Sequence, residues 1–364
     1  MSVKILSAKE VFSIFPMKEA VEQTEKAFKA YTSDGSQIPL RSNLHCSDGD
    51  TLFMPGTAKT EDMESVGIKV VSVRAGNRAR GLPTVPAIYM DLDEKTGMLN
   101  VGIKVVSVRA GNRARGLPTV PAIYMDLDEK TGMLKSLIDG VALTYLRTGA
   151  ASGVAAKYLA RSDSKVLFVC GCGMQGKAGT EAILCVRPGI EKIYFYDSYE
   201  PCAKGYQQWL EEKYPKIEFE QVPSPNLAVP KADIILTATT SKNPVFDGYL
   251  VKPGTHISGV GAYTPEMQEI PSIVVKKATC IADTLDGCLS EAGDFIRAQK
   301  EGLIGKDHVK HEIGEIILGK VPGRQSELEI TFFKTVGSGV QDVVVGAAIG
   351  VKAASMKAGF DIEF

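Results

Sequence analysis

The stretch VLFVCGCGMQGKAGTEAIL, residues 166–184, decides the fold of the second half of this chain. An apolar run of strand length ends in the spacing G-x-G-x-x-G, made by Gly171, Gly173 and Gly176, and a helical pattern follows. In that context the first glycine permits a tight turn, the second lets a pyrophosphate approach the backbone, and the third lets the helix pack on the strand. The stretch therefore predicts the strand, turn and helix that open a dinucleotide-binding domain. The alternative is a tight turn that binds no ligand.

The next predicted strand, KIYFYD, supports the dinucleotide interpretation. It ends in Asp197, at about the separation at which an acidic residue accepts hydrogen bonds from an adenosine ribose. A carboxylate at this position favours NAD, because it would repel the 2′-phosphate of NADP, although NADP stays possible. Cys172 lies inside the turn, and we interpret it as a small residue rather than a redox centre.

The patterns on the two sides of this motif predict two architectures. From Lys165 onward, apolar strands alternate with helical segments, which is typical of a parallel sheet covered on both faces. Residues 1–150 are mixed, with a helix near Pro16–Ser33 followed by strand-like runs. We therefore predict an α/β fold in which a Rossmann-type domain accompanies an α+β domain. Thr335–Gly359 is helical in period and apolar over most of its circumference, so we expect it to be buried against the first domain.

Composition excludes several classes of protein. The 364 residues carry 42 Lys and Arg against 43 Asp and Glu, so no global positive field recruits nucleic acid or anionic lipid. Hydrophobic residues make up 44% of the chain, which is typical of a globular protein and not of a disordered one. No apolar stretch approaches the ~20 residues that cross a bilayer, and the N-terminus lacks a signal-peptide pattern. We expect a cytoplasmic protein without nucleic-acid or membrane partners.

Cysteines and histidines give no metal-binding pattern. The seven cysteines are scattered, without a CxxC pair, so we expect reduced thiols and no structural metal. His308 and His311 could form a ligand pair on one helix face, but no third ligand is in sight. We interpret that face as a solvated helix surface.

One segment of the chain occurs twice. The sequence VGIKVVSVRAGNRARGLPTVPAIYMDLDEKTGML occupies Val66–Leu99 and recurs without a change at Val101–Leu134, with a period of 35 residues. Helical repeat arrays of similar period consist of at least about three diverged units, so this is not a solenoid. Each copy alternates like two strands around a Gly- and Asn-bearing turn, which predicts a β-hairpin.

Two identical hairpins compete for one position in a sheet. Removing residues 66–100 joins Ser65 to Val101 and leaves a 329-residue chain, which we interpret as the functional ancestor. The spare copy should then extend a sheet edge or loop out. We favour the second copy in the functional position, because its link to the helix that carries Arg147 is intact.

Five motifs, taken in order, resemble the ornithine cyclodeaminase and mu-crystallin family. They are LIDGVALTYLRTGAASGVAAKYLAR, VLFVCGCGMQGKAG, ILTATTSKNPVF, GTHISGVGAYTPEMQEI and TFFKTVGSGVQD. The resemblance covers essentially the whole chain once one 35-residue period is set aside. It implies a homodimer of two-domain subunits. In each subunit, residues 1–150 form a substrate-binding and dimerisation domain, 151–310 a Rossmann NAD(P)-binding domain, and 311–364 a segment that returns to the first domain.

The resemblance also assigns catalytic residues. Arg41 in IPLRSNLH resembles the family's substrate-carboxylate arginine, and Arg147 in LRTGAAS would lie near the carboxylate and the cofactor phosphates. Lys69, or its duplicate Lys104, resembles the lysine that contacts substrate and assists proton transfer. The chemistry agrees, because a substrate with a C=N bond beside a carboxylate needs fixed cations, and the arginine fork pairs with both carboxylate oxygens.

The remaining matches concern the cofactor and the substrate pocket. By resemblance, the cofactor positions beyond the three glycines and Asp197 are Thr84 or its duplicate Thr119, Thr148, Met174, Gln175, Thr239 and Gly261. Of these, Thr239 and Gly261 match positions along the nicotinamide side. Val336 and Gly337 in KTVGSG match the stretch that closes the substrate pocket.

One departure from the family pattern bears on the reaction. Cyclodeaminases of this family carry an aspartate in a G-G-D-x-P stretch, and alignment of VGAYTPEMQE places Tyr263 at that position in the substrate pocket. A phenol with a pKa of about 10 is a poor base at neutral pH, and Glu266 follows three residues later. We therefore predict an NAD(P)H-dependent reductase of small cyclic imino acids such as Δ1-pyrroline-2-carboxylate, which gives L-proline, or a related amino-acid dehydrogenase.

Two alternatives stay open at the level of sequence. One is an ornithine cyclodeaminase, which converts L-ornithine to L-proline and ammonia and merely recycles NAD. The other is a non-catalytic protein of the mu-crystallin type that binds NAD(P)H or a small molecule. The inserted hairpin gives this second alternative weight, because an insertion beside the catalytic lysine could abolish activity.

Overall fold

The computed structural model divides the chain into two compact units. Unit 1 comprises Met1–Arg147 and Ser338–Phe364, and unit 2 comprises Thr148–Gly337. The residues that the structure describes are 2–33, 42–46, 49–60, 64–74, 100–107, 122–127 and 134–363. Residues 311–337, predicted to return to the first domain, belong instead to unit 2, because the strands within them join its sheet. The returning segment therefore begins at Ser338.

The described strands and helices follow the chain in this order. The strands are β1 (Ser2–Leu6), β2 (Ser42–Cys46), β3 (Gly49–Lys59), β4 (Glu64–Arg74), β5 (Asn100–Ser107), β6 (Ala122–Leu127), β7 (Leu134–Asp139), β8 (Val166–Cys170), β9 (Lys192–Tyr196), β10 (Glu218–Gln221), β11 (Ile234–Thr237), β12 (His256–Gly259), β13 (Thr279–Ala282), β14 (His311–Glu312), β15 (Thr331–Lys334) and β16 (Phe360–Glu363). The helices are α1 (Ala8–Ile14), α2 (Met17–Thr32), α3 (Gly140–Leu159), α4 (Met174–Val186), α5 (Glu200–Lys213), α6 (Pro225–Ala228), α7 (Ser272–Lys277), α8 (Leu285–Glu291), α9 (Gly293–Lys300), α10 (Ile313–Ile317) and α11 (Gly339–Met356).

Unit 1 is an α+β unit built on one mixed sheet. Among the described residues, the strand order is β16-β1-β7-β6-β5-β4-β3-β2. Helix α11 packs on this sheet: the Tyr124 hydroxyl of β6 donates to the Val343 carbonyl oxygen over 3.4 Å. A Cβ at Gly346 would lie 2.4 Å from the Tyr124 ring, so the contact needs glycine. By length and composition α11 could cross a membrane, but most of it is buried, as in the core helix of a globular unit.

The duplicated segment places identical strands side by side. β4 and β5 pair in parallel, and from Val66 to Ser72 their register matches each residue with its own copy, including Lys69 with Lys104. β4 also pairs antiparallel with β3, and β5 pairs antiparallel with β6. Because β4 lies inside the sheet, the prediction that the spare copy extends an edge or loops out is wrong for this strand. The rest of the first copy, 75–99, lies outside the described residues.

Unit 2 is a doubly wound α/β unit. Its described strands are all parallel and are ordered β10-β9-β8-β11-β12-β15-β13-β14, so the winding direction reverses between β8 and β11. Successive apolar residues of β8 alternate between two cores, with Leu167 and Val169 in one and Phe168 and Cys170 in the other. The predicted Rossmann-type domain with a parallel sheet covered on both faces is therefore confirmed.

His308 and His311 do not share a helix. His308 lies in a bend, where its Nε2 donates to the Val275 carbonyl oxygen over 2.7 Å. His311 lies on β14, with its Nδ1 3.2 Å from the Glu315 carboxylate. The predicted pair on one helix face is therefore wrong, since each ring has its own partner in a different element.

The register of the sheet predicts that the 329-residue chain, which lacks residues 66–100, folds without rearrangement. Because β4 and β5 share the sequence VGIKVVS, deleting 66–100 lets β3 pair with β5 in the register that it has with β4. Cysteines at Thr51 and Ser107 should then form a disulfide in the contracted chain, detected by mass spectrometry. In the full chain this pair should stay reduced, whereas cysteines at Thr51 and Ser72 should cross-link. A Thr51 to Ser107 cross-link in the full chain would contradict the interior position of β4.

The histidine His256 predicts an acid-dependent loss of stability. Its ring is fully buried between the Thr331 and Ser258 hydroxyls, at 3.0 and 3.1 Å, and burial lowers its pKa from 6.5 to about 3. The unfolded chain therefore binds a proton that the folded chain excludes, and the free energy of unfolding should fall as the pH drops from about 6.5 towards 3. His256→Gln should reduce that slope by about 1.4 kcal/mol per pH unit in urea titrations. Parallel pH curves for the two proteins would contradict this assignment.

Candidate functional site

The glycine-rich turn after β8 has the geometry of a phosphate cradle. Gly171 has a φ of +98°, and a Cβ there would lie 2.5 Å from the Ala238 carbonyl oxygen, so the turn requires glycine. A Cβ at Gly176 would lie 2.0 Å from the Gly171 carbonyl oxygen, which means that α4 packs directly on the turn. Gly173, the N-cap of α4, differs, because a Cβ there would have no atom within 4 Å. The second glycine therefore borders open space, where a phosphate can approach the backbone.

The start of α4 suits an anion. Met174 and Gln175 form its first turn, which has no acidic side chain, and the N–H groups of a first helical turn favour negative charge together with the helix dipole. Gly149 of α3 packs against α4, where a Cβ would lie 2.6 Å from the Ala178 backbone. The neighbouring Thr148 hydroxyl is buried, and within the described part of the chain it has no hydrogen-bond partner. Buried polar atoms are normally paired, so this hydroxyl fits a ligand that completes it.

Asp197 follows β9 and lies beside the turn. Its Oδ2 accepts from the Cys172 N–H over 2.8 Å, and its Oδ1 accepts from the Tyr199 N–H over 2.9 Å. The carboxylate is half-buried and retains acceptor capacity for a further donor, such as a ribose hydroxyl. Burial raises the pKa of the Cys172 thiol, which therefore stays protonated at neutral pH. Asp197 both fixes the turn and presents an acid at the position predicted for the adenosine ribose, so these residues fit a dinucleotide.

Thr239 and Gly261 meet at the carboxyl ends of β11 and β12. A Cβ at Gly261 would lie 2.0 Å from the Thr239 carbonyl oxygen, so the two loops touch. Both backbone N–H groups donate to the fully buried carboxylate of Glu269, each over 2.6 Å. The sequence prediction missed Glu269, because the stretch offers Glu266 and Glu269 equally and only the fold separates them.

Val336 and Gly337 are held by a second carboxylate that the sequence prediction missed. Their N–H groups donate to Asp283 Oδ2 over 3.2 and 2.9 Å, and the Thr335 hydroxyl donates to the same oxygen over 2.6 Å. Asp283 is 1% exposed and directly follows β13. The sequence did contain a signal for Asp283. It is an acid that directly follows the apolar run TCIA, and ligands bind at the carboxyl ends of such strands.

The predicted catalytic residues of unit 1 are only partly described. Arg147 is 5% exposed, with its Nε 2.9 Å from Asp342 Oδ1, and its Nη1 donates to Gln341 Oε1 over 3.3 Å. These buried contacts fix the orientation of the guanidinium. Lys69 and Lys104 occupy paired positions on β4 and β5. Three predicted site residues lie outside the described part of the chain: Arg41, Thr84 and Thr119.

Tyr263 and Glu266 give no base in place of the cyclodeaminase aspartate. Tyr263 is 39% exposed, and its partial burial raises the pKa of the phenol, which stays protonated at neutral pH. Glu266 is exposed, and a hydrogen bond with the Thr264 side chain lowers its pKa. Over the described ranges, no group of three or more His, Cys, Asp and Glu side chains could hold a metal ion.

Comparison with known proteins identifies the family. The sequence profile of the ornithine cyclodeaminase/mu-crystallin family matches residues 1–101 and 95–357. The chain belongs to the ornithine cyclodeaminase/mu-crystallin family. The predicted resemblance is therefore confirmed. The two matches overlap within the duplicated segment, as expected if the hairpin of the family occurs twice.

Several known proteins are similar over the whole chain. A Δ1-pyrroline-2-carboxylate reductase of Bacillus cereus is 34% identical over 363 residues, which cover 99% of either chain. A solved Δ1-pyrroline-2-carboxylate reductase of Thermococcus litoralis, in complex with NADH and L-proline, has a TM-score of 0.84 and 33% identity, covering 99% of this chain and 100% of that one. A solved archaeal alanine dehydrogenase dimer with bound NAD has a TM-score of 0.81 and 32% identity, covering 100% of both chains.

Gly173→Ala should separate cofactor binding from folding. The φ of Gly173 is −72° and its Cβ position is open, so an alanine should change the melting temperature by less than about 2 °C. The same Cβ would enter the space through which a pyrophosphate approaches, so NADH affinity should fall about tenfold or more in a fluorescence titration. Gly176→Ala is the matched control, because its Cβ collides with Gly171 and should lower the melting temperature. An unchanged NADH affinity in Gly173→Ala would contradict the cradle.

Proposed function

We propose that this chain is an NADH-dependent reductase of small cyclic imino acids, which converts Δ1-pyrroline-2-carboxylate to L-proline. The observation that carries the proposal is the whole-length similarity to Δ1-pyrroline-2-carboxylate reductases, one of them solved with NADH and L-proline. The glycine turn, the first turn of α4 and Asp197 are the features that such a cofactor requires. The Asp197 carboxylate favours NAD over NADP.

The residues of the chain hold the substrate and its proton. When bound, the nicotinamide cofactor supplies the hydride that reduces the C=N bond. Arg147, kept in one orientation by Asp342, pairs with the substrate carboxylate together with Arg41. Lys69 or Lys104 keeps the imine nitrogen protonated, so that the carbon beside it accepts a hydride readily.

Two backbone positions support the pocket. Asp283 holds the loop that contains Val336 and Gly337, and the family resemblance assigns this loop to the substrate pocket. A fixed loop excludes water and limits the poses that a small ring can adopt.

At the position of the cyclodeaminase aspartate, the described residues Tyr263 and Glu266 offer no base for ornithine cyclisation. The lyase reaction needs a group that takes a proton from the δ-amine, and the position of the cyclodeaminase aspartate holds the protonated phenol of Tyr263. Glu266 is exposed to solvent and is ill-suited to replace it.

A second candidate is an amino-acid dehydrogenase reaction, which the 32% identity to the archaeal alanine dehydrogenase favours.

The proposed setting is a cytoplasmic homodimer with a small-molecule substrate. The similarity to an archaeal dimer supports the oligomeric state, and the net charge of −1 gives no field for nucleic acid or anionic lipid. Sedimentation of the purified protein checks the dimer directly.

One set of assays tests the proposed reaction. NADH oxidation is followed with a five-membered and a six-membered cyclic imino acid and with pyruvate plus ammonia, and ammonia release is followed with L-ornithine. We expect NADH consumption with the five-membered ring and no ammonia from ornithine. Ammonia release without net NADH consumption would replace the reductase by the cyclodeaminase, and NADH binding without any turnover would favour the non-catalytic alternative.

Single lysine variants identify the functional copy of the hairpin. Because the second copy keeps its link to the helix of Arg147 through β7, Lys104→Met should lower kcat by a factor of about 100 or more in the imine assay. The matched variant is Lys69→Met, which changes the same residue type at the paired position of the neighbouring strand. A larger loss in Lys69→Met than in Lys104→Met would assign the site to the first copy.

A further inference from the structure

Two acids and a lysine, all fully buried, lie together in unit 2 near the ends of β11 and β12. Glu269, Asp294 and Lys334 are each 0% exposed, and the proposed reaction uses none of them. Lys334 Nζ lies 3.1 Å from Asp294 Oδ2, and Asp294 Oδ1 accepts from the Glu269 N–H over 2.7 Å. Burying three ionisable groups costs free energy unless each is paired, so we expect this cluster to have a role.

Glu269 connects the two loops that follow β11 and β12. Its Oε1 accepts from the Thr239 N–H over 2.6 Å, in the loop after β11. Its Oε2 accepts from the Gly261 and Ala262 N–H groups over 2.6 and 3.2 Å, in the loop after β12. The Thr237 hydroxyl donates to the same oxygen over 3.0 Å. One carboxylate therefore satisfies donors from both loops, and an ionised acceptor makes each of these bonds stronger than a neutral one would.

The cluster also fixes Glu269 itself. Asp294 Oδ1 accepts from the Ile270 N–H over 2.9 Å as well as from the Glu269 N–H, so the backbone on both sides of the carboxylate is held. Burial raises the pKa of Glu269, and Lys334 opposes that shift. Gly261 leaves no space for adjustment, because a Cβ there would lie 2.5 Å from Glu269 Oε1.

The point at which the winding of the sheet reverses indicates which part of a dinucleotide these loops face. In doubly wound folds a dinucleotide lies across the carboxyl ends of the strands, with one mononucleotide on each side of the point where the winding reverses. β8 and β9, with Asp197, form the adenosine side. β11 and β12 belong to the other side of that point, which receives the nicotinamide mononucleotide.

We propose that Glu269 is a positioning residue that locks the loops after β11 and β12 together and so fixes the nicotinamide end of the cofactor. Asp294 and Lys334 hold Glu269 in place. The inference rests on the proposed dinucleotide-dependent function. In this role Glu269 acts through the backbone of Thr239 and Gly261 and contacts neither substrate nor cofactor.

Glu269→Gln tests this role through two ligands. In either orientation of the amide, its NH₂ group faces an N–H donor of one loop, and the unpaired donor destabilises the locked loops, so that the conformation that binds NADH becomes about tenfold or more less populated. The Kd for NADH should therefore rise about tenfold or more. The Kd for ADP-ribose, which lacks the nicotinamide, should change less than about twofold, because its binding uses the adenosine side.

Controls make each outcome decisive. Asp197→Ala should raise the Kd of both ligands, which establishes that the assay senses the adenosine side. If Glu269→Gln does not fold, Thr237→Val removes one bond to Glu269 with little change of volume, and it should raise the Kd for NADH about threefold with that for ADP-ribose unchanged. Equal changes for both ligands, or no change for NADH, would overturn the proposal.

Binding and turnover separate the inference from the proposed function. Both dissociation constants are measured without substrate, so a wild-type protein that binds NADH but reduces no imine fails as a reductase while the role of Glu269 is still decided by the two ligands. A wild-type protein that binds ADP-ribose but not NADH would overturn the positioning role. Where imine turnover is present, Glu269→Gln should lower kcat in addition to raising the Kd for NADH.

Discussion

The site depends on one packing constraint, the contact between the first turn of α4 and the turn after β8. At Gly176 there is no space even for a methyl group, since a Cβ would lie 2.0 Å from the Gly171 carbonyl oxygen. This contact sets the position of the helix start, and with it the direction of the N–H groups that face an anion. It also leaves Gly173 at the border of open space. Affinity for a phosphate group is thus a consequence of how closely a helix can approach a strand.

Three carboxylates order the loops around that edge of the sheet. Asp197 ties the glycine turn, Glu269 ties the loops after β11 and β12, and Asp283 ties the loop after β15. Loop N–H groups lack the regular partners of a helix or strand, yet each needs an acceptor when buried. A carboxylate offers several lone pairs at one point, so one side chain can organise several donors. Irregular backbone thereby acquires a defined conformation without regular secondary structure.

The sequence predicted what depends on short-range pattern. The G-x-G-x-x-G spacing, the alternation of strands and helices and the five motifs predicted the Rossmann-type fold and the family, and both are confirmed. Contacts between distant residues were not predictable in this way. Arg147 finds its partners Gln341 and Asp342 nearly two hundred residues later, and nothing in their local sequence indicates the pairing. Glu269 was missed for the same reason, because its role is defined by loops that come from other strands.

The prediction for the duplicated hairpin was wrong for its first strand, β4, for a physical reason that the sequence contained. It assumed that two identical strands exclude each other from the interior of a sheet, whereas β4 and β5 lie there side by side. A β-strand can pair with a copy of itself, because the hydrogen bonds between strands join backbone groups and do not depend on which side chains the strands carry. What register requires is that the same face stays turned to the core, and identical sequences aligned residue for residue meet that requirement automatically.

That alignment gives the chain a local resemblance to fibrils, in which equal segments stack in register along one axis. Here the stack stops after two layers, because β3 and β6 close it on either side in the opposite direction. A tandem copying event in a gene can therefore widen a sheet without designing a new partner for the added strand. The duplication that creates the extra strand also supplies the identical strand with which it pairs.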